Sequence, residues 1–319
     1  MTLLSVEAAQ RRILRLFRPV DTETVPLARA LGRVLAAEIR SISLPPFDNS
    51  SVDGFALRSA DVQTASTRRP VRLHVVADIA AGSTPSRALR PGQTARIMTG
   101  AELPRGADSV AMLESSDHAR AARGAPPPTA VRIFKSTAAG ENVRYRGSDA
   151  DAGTIALRTG TVLRPQELGL LAMLGKPNVR VHRRPRVAVL SSGNELLPPS
   201  RSLQRGAIRD TNSVTLASLA AQSGCDVIRL GIARDTKKSI EARLRSAVVR
   251  RVDLIITSAG VSVGALDLVR DVVRAHGRLI FWRVNVRPGK PLAVGEYEGI
   301  PLIGLPGNPV SAFVGFELF

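Results

Sequence analysis

Five short segments carry residues that could do chemistry, and each follows an apolar run of strand length. They are Ser191-Ser192-Gly193-Asn194-Glu195, Arg234-Asp235, Ser258 to Gly264 leading to Asp267, Arg287-Pro288-Gly289-Lys290, and Pro306-Gly307-Asn308-Pro309-Val310-Ser311. Glu195, Asp235 and Asp267 are hard oxygen ligands of the kind Mg²⁺ takes while keeping waters and substrate phosphates. Gly193, Gly260, Gly264 and Gly307 let backbone N–H groups come close to an oxyanion, with Ser192 and Ser262 adding hydroxyls. Asn308 reads as an N-cap and Pro309 as the first helical residue. That places Ser311 in the first turn, with hydroxyl and amide free for an oxyanion. Arg283, Arg287 and Lys290 supply positive charge, although Arg283 reads equally as a solvated strand face. Asp267 could serve only the helix dipole, but Asp271 four residues on repels it, and a nearby cation relieves that. The chemistry is that of an anionic ligand with a divalent metal.

Such loops need elements that bring them together. Apolar runs at 187–190, 227–232, 254–257, 279–286 and 301–305 read as strands. Asn212–Gln222, Thr236–Val249, Leu266–Ala275 and Asn308–Phe319 read as helices, with Glu241 and Arg245 paired at i,i+4. Strand and helix alternate, which predicts a parallel α/β sheet with helices on both faces. In such sheets ligands bind beyond the carboxyl ends of the strands, and all five segments fall there. Earlier in the chain, Ser5–Phe17 and Leu27–Ile39 read as helices. Short runs at 71–76, 95–98, 110–113 and 131–134, set between Gly and Pro clusters, read as a small β domain. Residues 119–129 read as an exposed loop, and Pro165–Leu174 as a short helix stopping at Gly175.

The 319 residues predict two or three domains, and 44% hydrophobic with 23% charged residues excludes a disordered chain. The net charge of +18 raises nucleic acid or an anionic membrane as a partner. Against both, the cations are dispersed, nearly all arginine, and aromatics are only 3%, too few for a base-stacking platform. We expect no nucleic-acid and no membrane partner. Cys225 is the only cysteine, which excludes a disulfide framework and points to a reducing, cytoplasmic setting. No apolar run approaches a membrane span and no signal peptide is evident. Phosphate-loop, dinucleotide-loop, nucleophile-elbow and paired-histidine zinc motifs are missing. His74, His118, His182 and His276 are scattered singly.

Several blocks resemble one family. Pro45-Pro46-Phe47-Asp48-Asn49-Ser50-Ser51-Val52-Asp53-Gly54-Phe55-Ala56 is similar to the signature of molybdopterin molybdenumtransferases, which include the C-terminal part of gephyrin. Arg96 to Ala101 with Gly106-Ala107-Asp108 resembles a second block, Gly140 to Gly153 a third, and the five loops the remainder. The likeness spans essentially the whole chain. It departs at Gly193-Asn194-Glu195, where the family has Gly-Asp-Glu, so one carboxylate is absent. Ala259-Gly260-Val261-Ser262 stands for Gly-Gly-Val-Ser, Gly147-Ser148-Asp149 for Gly-Glu-Asp, and the family lysines appear as Arg283 and Arg287. Family members also continue into a C-terminal β domain that this sequence does not contain.

The resemblance implies insertion of molybdenum from molybdate into adenylylated molybdopterin, with Mg²⁺ and release of AMP. It implies an α/β plus β multidomain fold: N-terminal helices and connector (1–40), a mostly β second domain (41–145), a return connector (146–178) and an α/β molybdopterin-binding domain (179–319). Glu195, Asp235 and Asp267 would hold Mg²⁺, supported by Asp53 and Thr99 from the second domain. Arg283, Arg287, Lys290 and Ser311, with Ser192, Gly193, Gly260, Ser262, Gly264, Pro306, Gly307, Asn308 and Pro309, would bind substrate. Which carboxylates touch the metal stays open. The family also implies an elongated homodimer with a composite active site and the molybdopterin adenylyltransferase as a partner. Two alternatives are an adenylyltransferase built on the same α/β domain and a non-enzymatic scaffold of gephyrin type.

Overall fold

A computed structural model describes residues 3–120, 126–259, 263–287 and 291–319, with backbone alone at 259 and 263–267. It divides into two compact units, Met1–Ala37 with Gly160–Phe319, and Glu38–Thr159.

The chain opens with α1 (Val6–Leu14) and β1 (Thr22–Pro26). Ser5 caps α1, its Oγ accepting from the Ala8 amide at 3.2 Å, and Ala9 and Ile13, four apart, face inward. The helix stops at Leu14, short of the predicted Phe17. Leu16 and Phe17 instead bond back three residues, in 3₁₀ fashion. The helix predicted over 27–39 does not form, and only Leu27–Arg29 makes a single 3₁₀ turn. Gly32 takes φ +72° there. Gly32, Leu35 and Ala36 spend their amides on the carbonyls of Leu163, Thr161 and Arg180. Leu35 is fully buried, but Leu31, four residues earlier, is 56% exposed.

Glu38–Thr159 is built on β2 (Gly54–Leu57), β3 (Val71–Ile79), β4 (Gln93–Ile97), β5 (Ser109–Met112) and β6 (Ala130–Ile133), in the order β5-β2-β4-β3-β6. Only β3 and β4 run parallel. Both faces of β2 are covered: Phe55 and Leu57 pack with Leu73 and Ile133, Ala56 with Ile79 and Ile97. Gly54 is obligatory, because a Cβ there would lie 2.0 Å from the Ala111 carbonyl oxygen of β5.

The other unit adds α2 (Pro165–Met173) and β7 (Asn178–His182), which pairs antiparallel with β1. Then follow β8 (Arg186–Ser192), α3 (Asn212–Gln222), β9 (Asp226–Ala233), α4 (Lys237–Val249), β10 (Leu254–Ala259), α5 (Val263–His276), β11 (Gly277–Arg283), β12 (Pro291–Tyr297), β13 (Ile300–Leu305) and α6 (Pro309–Leu318). The strand order is β9-β8-β10-β13-β12-β11. The predicted wholly parallel sheet is corrected: β12 runs antiparallel to both neighbours, so the sheet is mixed. A two-residue turn at Glu298 (φ 46°) and Gly299 (φ 80°) folds β12 onto β13, the left-handed pair a tight hairpin demands. α5 ends at His276 and Gly277 opens β11 directly, where a Cβ would sit 1.9 Å from the Glu296 carbonyl oxygen. Along β8, Val187 and Val189 pack with α1, α3 and α6, whereas Ala188 and Leu190 pack with α4 and α5. Helices therefore cover both faces. Glu241 does not pair with Arg245; its Oε1 lies 3.4 Å from Nε2 of His276 on α5. Since β11 runs with β13, the ends of β8, β9, β10, β11 and β13 share one edge.

Candidate active site

β8 continues through Ser191 and Ser192, two residues past its predicted end, and buries both. The Ser192 hydroxyl has no hydrogen-bond partner there. The chain then turns at Gly193, whose amide donates to the Ala233 carbonyl at 3.1 Å. A Cβ on Gly193 would lie 2.7 and 2.9 Å from the two carboxylate oxygens of Glu195. The missing side chain thus lets Glu195 fold back over the strand end.

Asp235 reaches the same place from the end of β9, just ahead of the α4 cap Thr236. Asn194 and Asp235 exchange backbone bonds: the Asn194 amide donates to Asp235 Oδ2 at 3.4 Å, and the Asp235 amide donates to Asn194 Oδ1 at 3.2 Å. Asp235 Oδ1 is buried with no partner. Burial pushes the Asp235 carboxyl above its ordinary pKa; the Asn194 amide opposes this, and the charge of Glu195 reinforces it. Two carboxylates held together, one with an orphaned oxygen, fit a hard cation in donor type. Among the described residues no three acidic, His or Cys side chains gather. Asp267 lies on α5 where only the backbone is described, and Gly264 is likewise placed by backbone. Gly260, Ser262 and Lys290 lie outside the described residues.

A cleft of about 760 Å³ opens beside Gly193 and Asn194, a size suited to a small-molecule ligand. Pro198 and Pro199 give it an apolar wall, and Arg229, Arg234 and Arg243 line it with positive charge. Arg283 and Arg287 are exposed at and beyond the end of β11. After β13, Pro306 is buried and Asn308 caps α6, its Oδ1 accepting from the amides of Val310 (3.0 Å) and Ser311 (3.2 Å). The predicted cap is present, but the Ser311 amide is not free for an oxyanion, because the cap consumes it. Pro309 occupies the first turn, and Ser311 is buried.

In Glu38–Thr159, pairing of β2 with β4 brings Asp53 to Thr99. The amide and the hydroxyl of Thr99 both donate to Asp53 Oδ1, each at 2.7 Å. Both residues are exposed.

Sequence reasoning missed a buried polar network at the start of α3. Asp210 Oδ1 accepts from the Ser191 hydroxyl (2.9 Å) and the Ser213 amide (3.1 Å). Asn212 Nδ2 donates to Ser258 Oγ (2.6 Å) and to the Gly307 carbonyl (2.8 Å), and Ser258 Oγ donates to the Pro306 carbonyl (3.2 Å). The polar run Asp210-Thr211-Asn212-Ser213 was the available signal, but it reads as an ordinary helix start.

Comparison with known proteins places the chain. Residues 4–175 match the family model described as the MoeA N-terminal region (domain I and II). Residues 188–319 match that of a probable molybdopterin binding domain. The chain is 39% identical over 323 residues to molybdopterin molybdenumtransferase 2 of Mycobacterium tuberculosis, covering 99% of this chain and 77% of that one. It is 40% identical over 304 residues to the molybdopterin molybdenumtransferase of Nostoc sp., covering 94% and 68%. The crystal structure of a molybdopterin biosynthesis protein from Pyrococcus horikoshii OT3 superposes with a TM-score of 0.84 at 30% identity, over 100% of this chain and 77% of that one.

Proposed function

Because the chain belongs to the molybdopterin molybdenumtransferase family, transferases of molybdenum cofactor biosynthesis, we propose that it moves molybdenum from molybdate into adenylylated molybdopterin and releases AMP. The observation that carries this reading is the orphaned Asp235 oxygen beside Glu195. Glu195 and Asp235, with Asp267, hold Mg²⁺. When bound, Mg²⁺ supplies Lewis acidity at the phosphoanhydride and neutralises charge as it breaks. Arg283, Arg287 and Lys290, with the capped α6 loop at Ser311, hold molybdate or phosphate oxygens. Ser192 offers its unpartnered hydroxyl. Gly193, Gly260, Ser262 and Gly264 are assigned to ligand binding.

Asp53 and Thr99 complete the site from a second subunit, so that a homodimer carries two composite sites. In this reading residues 41–145 act as a separate domain and 179–319 as the molybdopterin-binding one. The molybdopterin adenylyltransferase supplies the substrate as a partner. The protein works in the cytoplasm; no described helix is long and apolar enough to cross a membrane.

The test is release of AMP from adenylylated molybdopterin, with and without molybdate and Mg²⁺. Release that needs both supports the reading. ATP consumption in its place points to an adenylyltransferase, and no binding of molybdopterin or AMP points to a scaffold.

A further inference from the structure

We propose that Asn212 is a positioning residue, holding the Pro306–Ser311 loop in register with the acidic loop after β8. Its functional part rests on the reading of the Pro306–Ser311 loop as part of the transferase site.

The donor arithmetic is complete. A side-chain amide nitrogen has two protons, and Asn212 spends one on Ser258 Oγ and the other on the Gly307 carbonyl. Ser258 passes its single proton to the Pro306 carbonyl. Two consecutive carbonyls are thereby held, which fixes the peptide planes on both sides of Gly307. A glycine is where the backbone would otherwise be freest. The next residue is Asn308, whose side chain caps α6 and whose carbonyl accepts the Ala312 amide at 2.9 Å. The orientation of the cap therefore depends on a side chain 95 residues earlier in the chain.

The same turn of α3 is fastened at its other side. Asp210 ties the Ser213 amide to the Ser191 hydroxyl at the end of β8, from which Ser192 to Glu195 depart. One helix start thus bridges β8, β10 and β13. Asn212 is 9% exposed, Asp210 3%, and Ser191, Ser213 and Ser258 1% each. Water does not replace these bonds easily, and a broken one leaves a buried group unpaired. Asn212 bonds to Ser258 and to loop backbone, so it acts through the loop.

Aspartate has the shape of asparagine but no proton to donate. Asn212→Asp would set a carboxylate against a hydroxyl and a carbonyl oxygen, and should do more harm than Asn212→Ala. The experiment compares Asn212→Ala, Asn212→Asp and Ser258→Ala with the exposed control Val214→Ala. It follows hydrogen exchange in the 302–313 segment and steady-state transfer kinetics. We expect exchange at Val310 and Ser311 to rise about tenfold or more in Asn212→Ala. It should rise further in Asn212→Asp, less in Ser258→Ala, and not at all in the control. Because Asn212 works through the loop, Ser311→Ala should cost less in the Asn212→Ala background than in the native one. Unchanged exchange in a folded Asn212→Ala protein overturns the proposal, as do losses that simply multiply where Ser311→Ala by itself slows transfer. If Asn212→Ala does not fold, Ser258→Ala carries the test, since it removes the Asn212–Ser258–Pro306 relay and leaves the Gly307 bond; unchanged exchange there overturns it equally. If Ser311→Ala alone leaves transfer untouched while Asn212→Ala loosens the loop, the positioning role stands and the loop's part in the reaction falls.

Discussion

Asn194 and Asp235 clasp one another through their backbones, each amide donating to the other's side chain. An aspartate at 194 could accept the Asp235 amide equally well. Asparagine keeps the clasp without adding a third negative charge beside Glu195 and Asp235. Asn194→Asp should therefore strengthen cation binding and weaken the cation-free fold. We expect Mg²⁺ to half-saturate activity at about tenfold lower concentration, equivalent to about 1.4 kcal/mol. The thermal midpoint without Mg²⁺ should drop. A Mg²⁺ titration of activity together with thermal unfolding in chelator checks both.

Asp235→Asn should separate stability from activity. The carboxyl is raised above its ordinary pKa by burial and by Glu195. A raised acid favours the folded state while protonated. Its ionisation therefore removes stability as pH rises through the window just above the ordinary carboxylate value. The asparagine variant lacks that loss, so at pH 7 its midpoint should equal or exceed the native one while transfer collapses. Added Mg²⁺ should raise the native midpoint by mass action and leave the variant's where it is. A variant less stable than the native protein across the whole pH range would contradict the strained carboxylate.

The pair Arg183 and Asp253 should govern acid stability with the opposite sign. Arg183 forks both Asp253 oxygens at 2.7 Å, and the Arg186 amide adds a third bond at 2.7 Å. Burial alone would raise this carboxyl, but those bonds outweigh it and hold it low. Its contribution is present above the ordinary carboxylate pKa and fades as pH falls through the depressed value. Arg183→Ala should cost about 1.5–3 kcal/mol at neutral pH, as for bonds to a charged group. Asp253→Asn should flatten the acid limb of a denaturant series run from pH 7 to pH 3.

A composite site predicts complementation. Asp53→Asn and Asp267→Asn, each inactive alone, should recover activity after subunit exchange. Each mixed dimer would hold one site with both defects and one with neither. Random mixing makes about half the dimers mixed, so activity should return to about a quarter of native. Mass-tagged subunits would confirm the exchange, and no recovery after it would place each site within one chain.

Much of the α/β unit could be read from local pattern. α3 spans the predicted residues 212–222, and β8, β9 and β10 contain the apolar runs predicted as strands at 187–190, 227–232 and 254–257. What local pattern could not supply was pairing direction. Pro291–Tyr297 makes a strand only because a left-handed Glu298-Gly299 turn throws it back along β13. Leu27 to Ile39 shows the converse error, where the predicted helix is overruled by a glycine and by carbonyls from distant segments. In the candidate site, the Asn308 cap is a local motif and was legible. The Asn212 bonds span 46 and 95 residues and leave no trace in spacing. The Ser311 amide was misjudged because satisfying the cap and staying free are incompatible.

The interrupted course of the larger unit has a consequence for synthesis. Gln10 Nε2 donates to the Leu318 carbonyl at 2.7 Å across 308 residues, and Ala9 and Ile13 share a core with Leu305 and Ala312. At ordinary translation rates α1 leaves the ribosome about 15–60 s before the helix that seats it is made. Glu38–Thr159, an unbroken segment, can fold in that interval. The first helix made is thus among the last to dock, and its apolar stripe must stay uncovered or be chaperoned until the end of the sheet emerges.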